Sequence, residues 1–593
     1  MAAIRESAAD ASDPPPDPSS DPPPGAAGAS AALLQTIRDS LIGDDHLLDG
    51  PYGERRITYA DYAASGRALT FIEDFIRGAV LPYYANSHTE ASGTGLQTTV
   101  FREDARAIIR QAIGGDERVA VIFTGSGATG AINKLITILG LHRAPAGRRA
   151  VVFVGPYEHH SNELPWREST ADVVPIREDA EGHIDLVHLE AELVRHRDRE
   201  LRIGTFSAAS NVTGIISDTD AVSDLLHRHG ALAFWDFAAA GPYLDVAMAG
   251  DAGRFDQPWK DAVFLSPHKF IGGPGTPGIL AVRRELLHNA VPAEPGGGTV
   301  DYVNTVEHHY IADPEHREEG GTPALVDSIR AGLVFLLKQA VGAAAIRAGE
   351  EGITRRVLAA WRDCPAIEIL GSPTAARLPI VSFLVRSPSG RSPSGASPSG
   401  RGFLHHNFVV AVLNDLFGIQ CRGGCSCAGP YGHRLLAIDQ DTSHRYEREI
   451  LEGHEGLKPG WVRVSLNYFM APAVVDYVIE AVRLVAEEGW RLLPEYRFDL
   501  RTGLWRHRSG GARAVRLAGL SFDAAGRLGP AARVAAGAAE ADLARQLAQA
   551  RAILAERDGR DEGGVAAAGV SGFGDLQWFE LPDVCRFTPG RAG

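Results

Sequence analysis

The chain has 593 residues, 45% of them hydrophobic and 22% charged, with a net charge of -15. That length predicts about three to four domain-sized units, and the acidity argues against nucleic acid or an anionic membrane as the main partner. No apolar run reaches the roughly 18 residues a membrane helix needs, and five cysteines are too few for a disulfide framework.

Residues 1–30, with Asp13-Pro14-Pro15-Pro16, read as a disordered tail without a charged-then-apolar signal pattern, so a cytoplasmic location is expected. Helical spacing follows at 31–42 and 100–113. Between them lie two polar loops, Tyr59-Ala60-Asp61-Tyr62-Ala63-Ala64-Ser65-Gly66 and residues 83–89, which either line a cleft or simply connect. From 119 the pattern turns α/β. A strand at 119–123, the small-residue loop Thr124-Gly125-Ser126-Gly127-Ala128-Thr129-Gly130 and a helix at 131–139 offer backbone N–H groups to an anion, most naturally a phosphate.

Further strands are predicted at 150–154, 172–176, 201–206, 231–237, 261–265 and 278–282, with helices such as 219–229 between them. Strand alternating with helix implies a mainly parallel sheet covered on both faces, and ligands collect beyond the carboxyl ends of such strands. Chemistry-bearing residues fall at those ends: Glu158-His159-His160-Ser161-Asn162, Asn211, Asp236 and, in Ser266-Pro267-His268-Lys269, a lysine between two strands. Each has a bland reading as cap, turn or surface charge. Together they suit one molecule bearing an aldehyde, a pyridine nitrogen and a phosphate. A desolvated Lys269 forms a Schiff base with the aldehyde, Asp236 keeps the ring nitrogen protonated, an imidazole covers the ring and the glycine loop holds the phosphate. Pyridoxal 5'-phosphate meets this description.

These motifs, with Pro165-Trp166, Ser210-Asn211-Val212-Thr213-Gly214 and Arg317-Glu318-Glu319-Gly320-Gly321-Thr322-Pro323, resemble the class V aminotransferases of fold-type I, and within them cysteine desulfurases and selenocysteine lyases. The likeness runs from about Tyr59 to about Leu493. It implies a large domain (31–340) built on a mainly parallel seven-stranded sheet, a smaller α+β domain (341–495) and a homodimer. It also implies that Lys269 carries the cofactor, that His159 stacks on its ring and moves protons, and that Asn211 lies near its phenolic oxygen. Ala128, Thr129, Ser266 and His268 would surround the phosphate, Thr299 would reach the phosphate of a second subunit, and residues 317–323 would support the cavity wall. Two positions depart from the family pattern: Gly130 replaces a glutamate of the phosphate loop, and Ala239 replaces a glutamine that bonds the phenolic oxygen.

In the second half, Ser-Pro-Ser-Gly recurs within 387–402 as a low-complexity insertion, and 404–417 resumes a helix. Gln420-Cys421-Arg422-Gly423-Gly424-Cys425-Ser426-Cys427 then crowds three cysteines beside an arginine. Nearby positive charge favours a thiolate nucleophile; a zinc site using Cys421, Cys425, Cys427 and His433, or inert thiols, are the rivals. The resemblance places Cys427 as the sulfur acceptor and Arg463, in Trp461-Val462-Arg463-Val464-Ser465, on the substrate carboxylate. Residues 496–593 form an extension expected to be helical, with one long helix or a helical hairpin over 531–557. The expected function is removal of sulfur from cysteine or a related amino acid, leaving alanine and a persulfide that a sulfur-acceptor protein could take. Transamination or β-elimination, and a cofactor-free thiol or zinc scaffold, are the alternatives.

Overall fold

Strand sequences that are apolar along their whole length dictate the centre of the molecule, because only a sheet covered on both faces can bury them. The structure, a computed structural model, describes residues 26–87, 90–142, 150–388, 402–511, 516–529, 540–557 and 576–581. The tail through residue 25 and the Ser-Pro-Ser-Gly repeats over 389–401 lie outside the described residues.

Helix α1 spans Ala26–Asp39, and α2 spans Gly93–Ala112 with Ser92 capping the amide of Gly95. Then come β1 (Val119–Thr124), α3 (Gly127–Ile138), β2 (Val151–Val154), β3 (Asp172–Pro175), β4 (Arg202–Ser207), α4 (Thr219–Arg228), β5 (Leu232–Asp236), β6 (Ala262–Leu265) and β7 (Gly278–Arg283). They form one seven-stranded sheet in the order β1-β7-β6-β5-β4-β2-β3. Strand β7 is antiparallel to both neighbours, and the other pairs are parallel. Alternate residues point to opposite faces. In β1, Val119, Val121 and Phe123 join the core that holds Ala105 and Ile109 of α2, whereas Ala120 and Ile122 join the one that holds Ala131, Ile132 and Leu135 of α3.

The chain leaves the large domain through α5 (Leu325–Val341) and enters the smaller one through α6 (Ala343–Arg362), the axis turning by 79° between them. The smaller domain is an antiparallel sheet of β8 (Ile367–Ile369), β9 (Ile380–Val385), β10 (Arg422–Gly424) and β11 (Trp461–Ser465) in the order β8-β9-β11-β10. Helices α7 (His406–Phe417), α8 (Gln440–Leu451) and α9 (Pro472–Glu488) accompany it.

The C-terminal extension is helical only in part, which corrects the expectation. It opens with a hairpin of β12 (Tyr496–Asp499) and β13 (Leu504–His507), because aromatic residues recur there at strand period: Tyr496 and Trp505 pack against Phe408 of α7, and Phe498 packs against Trp505. Helix α10 (Ala541–Ala555) lies against α9. A last segment, 576–581, returns to the smaller domain: Phe579 bridges to Phe403, and Trp578 stacks on His405 and His406 and donates its Nε1–H to the Leu457 carbonyl at 3.1 Å.

Candidate active site

Where β5 and β6 end, their next residues turn into a cavity of about 210 Å³ bordered also by α3, the 59–66 loop and the cysteine loop of the smaller domain. Lys269 ends the short turn Pro267–Lys269 directly after β6. Burial is the main reason its amine is lowered to about 8; Asp236 opposes the shift and Arg463 and Arg422 add to it. Asp236 is 4% exposed, and one carboxylate oxygen accepts the Ala238 amide at 2.7 Å. Burial raises its pKa, so a cationic ring nitrogen beside it would relieve the cost of the charge.

At the start of α3 the donors converge. The Ala128 amide donates to Ser266 Oγ at 2.9 Å, and Thr129 and Ser161 share a hydroxyl bond at 2.6 Å. Gly127 has φ +55, and a Cβ there would stand 2.8 Å from Ser266 Oγ and 3.2 Å from His268 Cε1. Only glycine leaves that concavity open. His268 is lowered to about 4 and His159 to about 3, burial being the first cause of both. Both imidazoles are therefore neutral near pH 7. Nδ1 of His159 accepts the Ser161 amide at 3.1 Å, so the ring proton sits on Nε2.

Cys427 lines the same cavity in a left-handed turn, with φ +56 after Ser426 at φ +51. The turn is pinned by the His160 amide on the Cys427 carbonyl at 2.8 Å and by Asn211 Nδ2 on the Ser426 carbonyl at 2.8 Å. Arg463 is 2% exposed and donates to the Asn211 carbonyl at 3.0 Å and to Asp61 at 2.8 Å. The three cysteines divide: Cys427 faces this cavity, Cys425 lines a neighbouring apolar one, and burial pushes the Cys421 thiol up. Both ring nitrogens of His433 are engaged, by Gly429 and Ser443.

The fold thus brings together Lys269, His159, Cys427, Ala128, Thr129, Asn211, Asp236, Ser266, His268 and Arg463. Thr299 is the exception. It does not line this cavity: its hydroxyl donates to the Gly296 carbonyl at 2.7 Å and the residue is buried within its own chain. Residues 317–323 support the cavity wall without lining it. Glu319 there braces β1 from behind, accepting the Phe123 amide at 2.7 Å and pairing with Arg102 and Arg106. Of the two polar loops, 59–66 reaches the cavity through Ala63 and Ala64, and none of residues 83–87 does.

Four further residues matter to which the linear motifs gave no role in holding cofactor or substrate. Asp61 and Arg422 face Arg463, and Ser207 lines the floor. Glu158, 3% exposed and raised to about 8 mainly by burial, accepts the Ser207 amide, the Ser207 hydroxyl and Asn162 Nδ2 at 2.8, 2.7 and 2.6 Å. Of the two positions that depart from the family pattern, the structure explains Gly130. A Cβ at Gly130 would meet the Gly125 amide at 3.2 Å, tighter than a side chain tolerates without movement, and Ala239 lines the wall with no polar atom.

Pyridoxal 5'-phosphate fits these residues: a buried amine, a buried carboxylate in the same cavity, and a ring of donors at a helix start kept open by Gly127.

Comparison with known proteins agrees. The family described as Aminotransferase class-V matches residues 58–478. A cysteine desulfurase of Dickeya dadantii is 28% identical over 398 residues, covering 66% of this chain and 88% of its own. A probable cysteine desulfurase of Halobacterium salinarum is 27% identical over 392 residues, covering 65% and 86%. Among solved structures, the apo cysteine desulfurase of Thermococcus onnurineus NA1 superposes with a TM-score of 0.58 at 22% identity, over 73% of this chain and 95% of that one. The cysteine desulfurase CsdA of Escherichia coli gives 0.58 at 21%, over 77% and 98%.

Proposed function

The chain belongs to the class-V aminotransferase family, and from that premise we propose that it is a pyridoxal-phosphate enzyme of the cysteine desulfurase kind, acting on cysteine or its selenium analogue. The observation that carries the reading is that Cys427 lines the same cavity as Lys269 and Asp236. Bound there, the cofactor supplies a conjugated ring that takes up the electron pair left on the substrate when a bond breaks. Asp236 would hold the ring nitrogen protonated, and Ala128, Thr129, Ser266 and His268, which line the same cavity, would hold the phosphate. Arg463 orients the substrate carboxylate. Lys269, with its amine near 8, accepts and returns the proton at the α-carbon. The Cys427 thiolate attacks the substrate sulfur: a sulfur–sulfur bond forms, the carbon–sulfur bond breaks, its electron pair stays with the carbon, and protonation gives alanine. The persulfide on exposed Cys427 is then open to a thiol of an acceptor protein.

Tyr302, Val303 and Val306, exposed on the hairpin that follows Thr299, give an apolar face that a second copy would cover, which supports a homodimer. The net charge of -15 disfavours nucleic acid or an anionic membrane as the main partner and is in keeping with a cytoplasmic enzyme.

The test is to incubate the cofactor-loaded protein with L-cysteine and measure alanine and protein-bound sulfur. Equal yields are expected in the first turnover, and finding neither refutes the proposal. Cys427→Ser should keep the cofactor's absorption band and lose sulfur transfer. If it instead keeps turning cysteine over, the chemistry is β-elimination or transamination, which the apolar wall at Ala239 would favour by leaving the cofactor's phenolic oxygen without the family's partner.

A further inference from the structure

The smaller domain places two arginines face to face. Arg422 of β10 and Arg463 of β11 are directly opposite in an antiparallel ladder, an arrangement that like charges disfavour. Between them stands Asp61, from the 59–66 loop. One of its oxygens accepts Arg463 Nη2 at 2.8 Å and the other accepts Arg422 Nε at 3.2 Å. The carboxylate is held there by its own backbone. Residue 61 bridges to Ser465, the Ser465 amide donates to the Ala60 carbonyl at 2.8 Å, and the Ala63 amide donates to Ser465 Oγ at 2.9 Å.

The consequence is a charge count. Two guanidinium groups and one carboxylate leave a single positive charge, the complement of one α-carboxylate. Donors remain to meet it: among the described residues, Nε of Arg463 is buried without a partner, and neither Nη of Arg422 is bonded. Both arginines and Cys427 line the cavity, so a substrate's carboxylate and its side chain meet the same pair.

Building on the proposed function, we propose that Asp61 is a specificity-determining residue: it neutralises one arginine charge and tethers Arg422, so that the site takes amino acids with one carboxylate and turns away those with a second anionic group on the side chain. Asp61 acts through the arginines and does not touch the reacting atoms. Without its charge, Arg422 is released to pair with a side-chain carboxylate and the net charge of the pair doubles.

The test uses the cofactor-loaded chain titrated with L-alanine and L-aspartate, which carry no sulfur, followed both by the bound cofactor's absorption band and by calorimetry. The wild-type chain should bind alanine at least about tenfold more tightly than aspartate, Asp61→Asn should cut that ratio about tenfold, and Asp61→Glu should keep it. A purely structural role would weaken both ligands together and leave the ratio unchanged, which would overturn the assignment. If Asp61→Asn does not fold, the wild-type ratio decides, and a value near one or in favour of aspartate overturns the assignment as well. An absent cofactor band counts against the proposed function, whereas calorimetry still reads the ratio on which this assignment stands.

Discussion

Replacing Gly127 by alanine tests the phosphate cradle at its narrowest point. The backbone there is left-handed at φ +55, which costs a non-glycine residue about 1–2 kcal/mol. The new methyl would also stand 2.8 Å from Ser266 Oγ, well inside contact distance, so the serine must move off the Ala128 amide that it accepts at 2.9 Å. Two donors to a phosphate are then misplaced. Losing one hydrogen bond to a charged group costs about 1.5–3 kcal/mol, roughly ten- to hundredfold in affinity. The assay is fluorescence titration of the cofactor-free chain with pyridoxal 5'-phosphate, alongside thermal melting followed by circular dichroism. The variant should melt slightly earlier and bind the cofactor at least about tenfold more weakly. Binding within twofold of wild type, from a folded variant, would show that the phosphate does not sit at this helix start.

Three other outcomes follow from the same structure. Burial lowers the Lys269 amine to about 8, against about 10.4 in an unfolded chain. The rate at which the cofactor-free chain captures pyridoxal 5'-phosphate should therefore rise between pH 7 and 9, and an inflection near 10 would refute the burial argument. By linkage the unfolded chain holds the extra proton between those two values, so this lysine makes stability rise with pH across that window. Trp578, 6% exposed, stacks on His405 and His406, and Trp578→Ala should cost about 3–5 kcal/mol in urea unfolding; an unchanged midpoint would mean that the last segment merely rests on the smaller domain.

What the amino-acid order determined by itself was whatever is local. Apolar runs such as Val119–Thr124 can only be covered strands, strands of that kind separated by helices make a parallel sheet, and a parallel sheet puts residues like Asp236 and Lys269 at one edge. The strand ends, the glycine turn and the cysteine loop were legible for that reason. The hairpin at the head of the extension was missed although Tyr496, Phe498 and Trp505 signal it at period two, because the alanine- and leucine-rich stretch further on dominated the composition.

Contacts between remote segments were decided only by the tertiary structure. Asp61 and Arg463 lie 402 residues apart, and nothing near either one announces that the first will neutralise the second. Thr299 matches its motif and yet turns its hydroxyl onto its own loop, and Glu319, expected to support the cavity wall, does so from behind β1 by holding a strand amide and two arginines. A motif specifies which groups are available. Which face of a loop they occupy, and which charge they meet there, depends on how two domains close on each other around one small volume.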